Sequence, residues 1–71
     1  MEYNKDLDIN AAMDSINLIN EVILKEKTAE NLDNVRRNVE HLEIIIQRHS
    51  LEGEEAEIFL EAIKQAKDYL K

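Results

Sequence analysis

The sequence predicts an all-α fold, an antiparallel up-down-up bundle of three helices, and three observations support this prediction. The 71-residue chain contains no proline and a single glycine, so it is poor in the residues that interrupt helices and build the turns of sheets. Apolar residues recur at steps of three and four in three separate segments, as they do along one face of a helix. The connections between these segments are short, which favours antiparallel neighbours. We therefore expect one domain spanning residues 1–71, with helices at about 8–25, 28–49 and 53–70.

The first helix is predicted from an apolar stripe formed by Ile9, Ala12, Ile16, Ile19 and Ile23. It begins in the stretch DLDINAAMDSIN, whose spaced acids and amides resemble the rhythm of an EF-hand calcium loop. Such a loop needs glycine at its sixth position and glutamate at its twelfth. Counted from Asp6, these positions hold Ala11 and Asn17. We therefore predict the start of a helix, with Asp6 or Asp8 as its N-cap, and no calcium site.

The second helix is predicted from the stripe Leu32, Val35, Val39, Leu42 and Ile46. It cannot continue the first helix, because nine residues separate Ile23 from Leu32. Nine residues are two and a half helical turns, so the second stripe would face away from the first. A break near residues 25–28 lets both stripes face one core, and Thr28 is a suitable N-cap for the helix that follows.

The third helix is predicted from the stripe Ala56, Phe59, Ile63, Ala66 and Leu70. The segment from Ser50 to Gly53 interrupts the apolar pattern before it. Glutamates then occupy the first turn and lysines lie toward the end, which is the charge order that the helix dipole favours.

The charge balance excludes several classes of partner. Nine Lys and Arg residues against sixteen Asp and Glu residues give a net charge of −7, which phosphate backbones and anionic membranes repel. No apolar run approaches the roughly 20 residues that span a bilayer, and the first residues do not resemble a signal peptide.

The absence of cysteine removes thiolate metal sites and fits the cytoplasm. We expect a cytoplasmic protein that binds neither nucleic acid nor membranes directly.

No residue pattern indicates catalysis, a cofactor or a metal. His41 and His49 are eight residues apart, which is not the spacing of a helical metal pair, and the helical wheel places His49 at the core edge and His41 outward. Glutamates 54, 55 and 57 are better explained as an exposed helix N-terminus than as acid–base catalysts, which need burial or a close like charge. We expect no enzymatic activity and no cofactor.

A second apolar stripe suggests a protein partner. Beside the main stripes lie further apolar residues on all three helices: Ala11, Leu18, Val22, Ile44, Ile45, Ile58, Ala62 and Tyr69. On the first helix the apolar arc is wider than two neighbouring helices require, and surplus apolar surface suggests a binding partner. We predict Leu18, Val22 and Ile58 as protein-binding residues. The partner is either a second copy, giving a homodimer, or a foreign protein. Asn20, beside the first stripe, either fixes the register of such a contact or reaches water.

The segment from residue 38 to residue 70 resembles the C-terminal part of small uncharacterised helical proteins of tailed bacteriophages. The resemblance rests on HLEII at residues 41–45, the leucine and acidic turn at residues 51–55, and the last helix from Phe59 to Ala66. This sequence differs from the pattern at Gly53. The resemblance implies a small intracellular viral product that works by contacting another protein, and it implies no activity and no functional residue.

Two functions are compatible with these observations. The first is a non-catalytic helical protein–protein interaction module that buries a helix flank against its partner. The second is an acidic inhibitor that occupies a basic, nucleic-acid-binding groove of another protein, because five glutamates (52, 54, 55, 57 and 61) lie close together. Binding of the second kind weakens steeply as salt rises.

Overall fold

The computed structural model describes residues 3–71, which form three α-helices. These are α1 (Lys5–Val22), α2 (Ala29–His49) and α3 (Glu54–Leu70). Hydrogen bonds from α1 to α2 join Ser15 to His41 and Asp8 to His49, so these two helices are antiparallel. The three helices pack against each other, which confirms the predicted all-α three-helix bundle.

The core lies along the shared axis of the three helices. Phe59, Ile19, Leu42, Ile45 and Val35 are its largest fully buried side chains. α2 packs against both other helices, whereas α1 and α3 associate least closely. The three predicted main stripes supply most of the core, because stripes at helical spacing face the common axis.

The first helix begins three residues earlier than predicted, and its cap is Asn4 instead of Asp6 or Asp8. The Asn4 side-chain oxygen accepts a hydrogen bond from the Leu7 backbone N–H at 3.1 Å, which satisfies a free N–H of the first turn. Asp6 and Asp8 therefore lie inside the first turn, where the helix dipole favours acids.

α1 ends at Val22, earlier than predicted, in a tight turn. The Lys25 N–H donates to the Val22 carbonyl at 2.9 Å. The Glu26 carbonyl then accepts hydrogen bonds from the Asn31 side chain at 2.9 Å and from the Tyr69 hydroxyl at 2.8 Å. α2 starts as predicted, because the Thr28 hydroxyl caps it by accepting from the Asn31 N–H at 3.1 Å.

The connection from α2 to α3 contains two residues with positive φ. Ser50 is left-handed, with φ 49° and ψ 49°, and the next residue, Leu51, donates its N–H to the Ile46 carbonyl at 3.1 Å. This closes α2 in the manner of a Schellman motif, with the Leu51 side chain buried. Gly53, with φ 68° and ψ −144°, then begins α3 in a conformation that only glycine adopts without strain.

Candidate protein-binding surface

The structure separates the three predicted contact residues. Ile58 is 54% exposed and Leu18 is 41% exposed, but Val22 is 4% exposed and belongs to the core. Val22 is therefore corrected from a contact residue to a core residue: it packs into the core at the last residue of α1, although Leu18, one turn earlier on the same flank, is exposed. Ala62, Tyr69 and Ile45 of the second stripe are buried in the same way.

A groove runs between the middle of α1 and α3, the two helices that associate least closely. Its volume is about 730 Å³, and it is open to solvent. Ile16 and Asn20 line it from α1, and Ile58 and Ala62 line it from α3. Ile16 and Ala62 are buried and form the apolar floor, while Asn20 is exposed at the edge. Leu18 does not line this groove.

Polar contacts tie α1 to α3 at both ends of the groove. At one end the Lys5 ammonium lies 3.3 Å from the Glu55 carboxylate. At the other end the Tyr69 hydroxyl lies 2.8 Å from the Glu26 carbonyl and 3.1 Å from the Lys25 carbonyl, so the two carbonyls share its one proton. The Lys27 ammonium lies 5.5 Å from the centre of the Tyr69 ring. These contacts join α3 to the start of α1 and to the connection that follows α1, one at each end of the groove.

Replacing Tyr69 with phenylalanine tests the tie at the second end. The ring keeps its packing, but the carbonyls of the α1–α2 connection lose their hydrogen-bond donor. We therefore expect the free energy of unfolding to fall by about 0.5–1.5 kcal/mol. Urea unfolding followed by circular dichroism measures this loss. Tyr3→Phe is the matched control, because Tyr3 is 58% exposed and its change should be close to zero. Equal effects of the two substitutions would contradict the role given to the Tyr69 hydroxyl.

Leu60 is an exposed apolar residue that the stripe pattern did not single out. It is 54% exposed, and it borders both the α1–α3 groove and a smaller groove of about 210 Å³ between α2 and α3. We call the outward residues Glu57, Ile58, Leu60, Glu61 and Lys64 the α3 surface. The only sequence signal for Leu60 is a large apolar residue that lies off the main stripe.

The acids at the start of α3 are exposed, as the sequence predicted. Glu55 is paired with Lys5, and the Gln65 side chain donates to Glu61 at 3.2 Å. Within residues 3–71, Glu57, Glu61 and Lys64 form no ion pair. The charges of the α3 surface therefore point to solvent and are available to an outside partner.

A charged cluster joins the start of α1 to the end of α2. One oxygen of Asp8 accepts hydrogen bonds from His49 at 2.7 Å and from Arg48 at 3.1 Å. The Arg48 guanidinium in turn lies 3.6 Å from the centre of the Tyr3 ring. The hydrogen bond from His49, and then that from Arg48, lower the pKa of Asp8 below its ordinary value of 3.8. The carboxylate that resembled a calcium ligand thus serves to tie two helices together.

Replacing Asp8 with asparagine should destabilise the chain in a pH-dependent way. A carboxyl group whose pKa is lowered by folding stabilises the fold above its unfolded pKa, and loses this effect as the pH falls through its folded pKa. The deficit of Asp8→Asn should therefore be full at neutral pH and shrink below pH 3.8. Urea unfolding from pH about 7 to about 2.5 measures it. Asp14→Asn, an exposed change on the same helix, is the control, and a deficit for Asp8→Asn that is constant with pH would contradict the assignment.

His41 does not point freely outward, as the helical wheel predicted. Its Nδ1 lies 2.8 Å from the hydroxyl of the buried Ser15, so it forms a hydrogen bond between α2 and α1. A serine–histidine pair can be nucleophilic, but acyl transfer also needs free N–H donors for the oxyanion. Both residues lie inside helices, where backbone N–H groups are already bonded. The arrangement favours a structural bond between two helices.

Across residues 3–71, no group of three or more acidic or histidine side chains is placed to hold a metal ion. In that same part of the chain, no helix combines the length and apolar character needed to cross a bilayer. On α2, Arg37 pairs with Asp33, one turn earlier on the same helix, at 2.7 Å.

No protein-family model matches this chain, and neither a curated protein nor a solved structure is similar to it. The resemblance of residues 38–70 to tailed-bacteriophage proteins therefore stays a prediction.

Proposed function

We propose that this chain is a small, acidic, non-catalytic helical module that binds protein through the α3 surface and the adjoining α1–α3 groove. The observation that supports this most directly is the exposure of Ile58 and Leu60, 54% each, beside an apolar groove. Large apolar side chains grouped on the surface of a small chain favour a protein contact. The partner's helix would cover them while its polar edges meet Glu57, Glu61 and Lys64.

The shape of the groove favours a helix over a small molecule. Small-molecule sites bury most of the ligand, whereas this groove is open to solvent along one side. A helix of about 10 Å diameter fits between two helices and packs its side chains as ridges into such a groove. The groove is already formed in the folded chain, which lowers the cost of binding because less has to be ordered when the partner arrives.

A selection of helical peptides displayed from a random library tests the proposed function. Peptides selected on the wild-type chain should lose most of their affinity for Ile58→Glu and for Leu60→Glu. Leu18→Glu is the matched control, because Leu18 is also exposed but lies outside the groove. Circular dichroism should show that all three variants remain folded. Peptides that bind both α3 variants undiminished, and lose binding only to Leu18→Glu, would move the site to the opposite flank of α1.

A second candidate function is inhibition of a basic, nucleic-acid-binding surface on another protein. The observation that favours it is the exposure of Glu52, Glu54 and Glu57 at one end of α3. Contacts of this kind are dominated by charge, so the affinity for a basic domain should fall steeply between about 0.05 and 0.5 M salt. An affinity for such a domain that does not change across this range would exclude the inhibitor function.

A further inference from the structure

The charges of α3 are divided between its two halves. The first half carries four acids and no basic residue: Glu54, Glu55, Glu57 and Glu61. The second half and the residue after it carry three lysines: Lys64, Lys67 and Lys71. Asp68 is the one acid among these lysines, and it lies 3.5 Å from Lys71. When two copies of such a helix lie antiparallel, the acidic half of each lies beside the lysine-containing half of the other.

We propose that the partner at the α3 surface is a second copy of this chain, with the two α3 helices antiparallel about a two-fold axis near Ala62 and Ile63. This inference rests on the proposed function and names the partner at the same site. A two-fold axis makes the same patch serve on both sides, so the patch must be self-complementary. The α3 surface meets this condition through the order of its charges.

The register follows from the positions of the charges along the helix. With the axis between residues 62 and 63, Glu61 of one copy is level with Lys64 of the other, and Glu54 is level with Lys71. Glu57 is level with Asp68, which is unfavourable, and is offset by one residue, about 1.5 Å along the helix, from Lys67, whose ammonium lies 3.9 Å from Glu43 of its own chain. Two pairs, Glu61 with Lys64 and Glu54 with Lys71, therefore carry the complementarity. A parallel pair would instead place acids beside acids and lysines beside lysines, which is repulsive. The charges thus specify the antiparallel direction.

Leu60 supplies the apolar contact near the axis. It lies about 4 Å from the level of the axis along the helix, so the Leu60 side chains of the two copies come close to each other. Ile58 lies at the edge that faces the α1–α3 groove, where the other copy would cover it. In this arrangement the ion pairs set direction and register, while Leu60 and Ile58 provide most of the affinity, because exposed ion pairs contribute little.

The size of the contact predicts a weak dimer. α3 has 17 residues, which corresponds to a helix about 25 Å long. A single helix–helix contact of this length buries less than the about 800 Å² per partner of a typical stable complex. The net charge of −7 on each chain adds repulsion. We therefore expect association in the range of about 10 μM to 1 mM.

A charge-swap experiment tests the inference. One variant carries Glu54→Lys and Glu61→Lys, and the other carries Lys64→Glu and Lys71→Glu. Each alone should self-associate at least about tenfold more weakly than the wild type, since like charges then face each other. An equimolar mixture should form a one-to-one heterodimer. Light scattering on a sizing column gives the mass, which for one chain is 8.3 kDa.

Control variants carry the same changes in net charge on the outer face of α2. Glu30→Lys with Glu40→Lys matches the first variant, and Arg36→Glu with Arg37→Glu matches the second. Both should self-associate much like the wild type, and mixing them should not strengthen the association. Circular dichroism confirms that all four variants are folded. If mixing the two controls increased association as much as mixing the two α3 variants does, the inference would be overturned.

Other outcomes separate this inference from the proposed function. The wild-type chain could stay at 8.3 kDa up to 1 mM (about the highest practical concentration) and still bind peptides in a way that Ile58→Glu weakens. This result would overturn the proposal that the partner is a second copy, and it would support the protein-binding module. A dimer that persists in both charge-swap variants also overturns the proposed geometry. A monomer that binds no peptide at the α3 surface overturns both proposals.

Discussion

Replacing Phe59 with alanine is expected to unfold much of the population at 25 °C. Phe59 is 1% exposed and is the largest side chain at the centre of the core. Removing a buried phenylalanine ring costs about 3–5 kcal/mol, through lost burial and the cavity left behind. A single core in a chain of this length supplies only about 3–5 kcal/mol of net stability. The substitution therefore removes about as much stability as the chain has.

Urea unfolding followed at 222 nm measures this effect, and the variant should show little or no folded baseline. Leu60→Ala is the matched control, because it also removes a large apolar side chain, from a position 54% exposed in the monomer. Below the dimerisation range, its free energy of unfolding should change by less than about 1 kcal/mol. A cooperative Phe59→Ala variant of near wild-type stability would contradict the core described above.

Replacing Gly53 with alanine is expected to cost about 1–3 kcal/mol. The added methyl group would meet no atom within 4 Å, so packing contributes nothing to the cost. The cost comes from the backbone, because φ 68° with ψ −144° is strained for any residue with a Cβ atom.

Thermal unfolding measures the effect of Gly53→Ala, and the melting temperature should fall by about 4–8 °C per kcal/mol. Ser50→Gly, in the same connection, is a control for which we expect an effect of the opposite sign. Ser50 is left-handed at φ 49°, so glycine there should raise stability by about 0.5–1 kcal/mol. Opposite signs at the two positions support the backbone explanation. Destabilisation by both substitutions would refute it.

Much of the fold follows from sequence alone, since it depends on local rules. The spacing of apolar residues places the three helices within three residues of their observed ends. Thr28 caps α2 as predicted, and the break from Ser50 to Gly53 occurs where the apolar pattern stops. Periodicity and capping involve neighbours in the chain, so they are visible in the sequence.

The parts that could not be predicted depend on residues far apart in the chain. The connection that follows α1 is held by the Tyr69 hydroxyl of α3, which contacts the carbonyls of Lys25 and Glu26. His41 turns toward α1 because Ser15 lies opposite it. A helical wheel shows which side chains share a face, but it does not show how far along that face the rest of the chain covers them. Val22 was therefore misplaced, although Ile58 is exposed as expected.

Self-association is also expected to stabilise the fold, because the small core supplies little stability of its own. A second copy that binds only the folded state stabilises it by mass action. In a chain with little stability of its own, the α3 surface would thus contribute to folding as well as to recognition. The apparent melting temperature of the wild-type chain should rise with protein concentration, and that of the charge-swap variants should not.

The most direct test of the α3 surface is a set of two-dimensional ¹H–¹⁵N spectra recorded over a hundredfold dilution from about 1 mM. The amide signals that move with concentration should belong to Glu57, Ile58, Leu60, Glu61 and Lys64, with smaller changes at Ile16 and Asn20. The outer face of α2 should stay constant. Changes confined to Leu18 and Ile44, or no change anywhere over this range, would contradict self-association through α3.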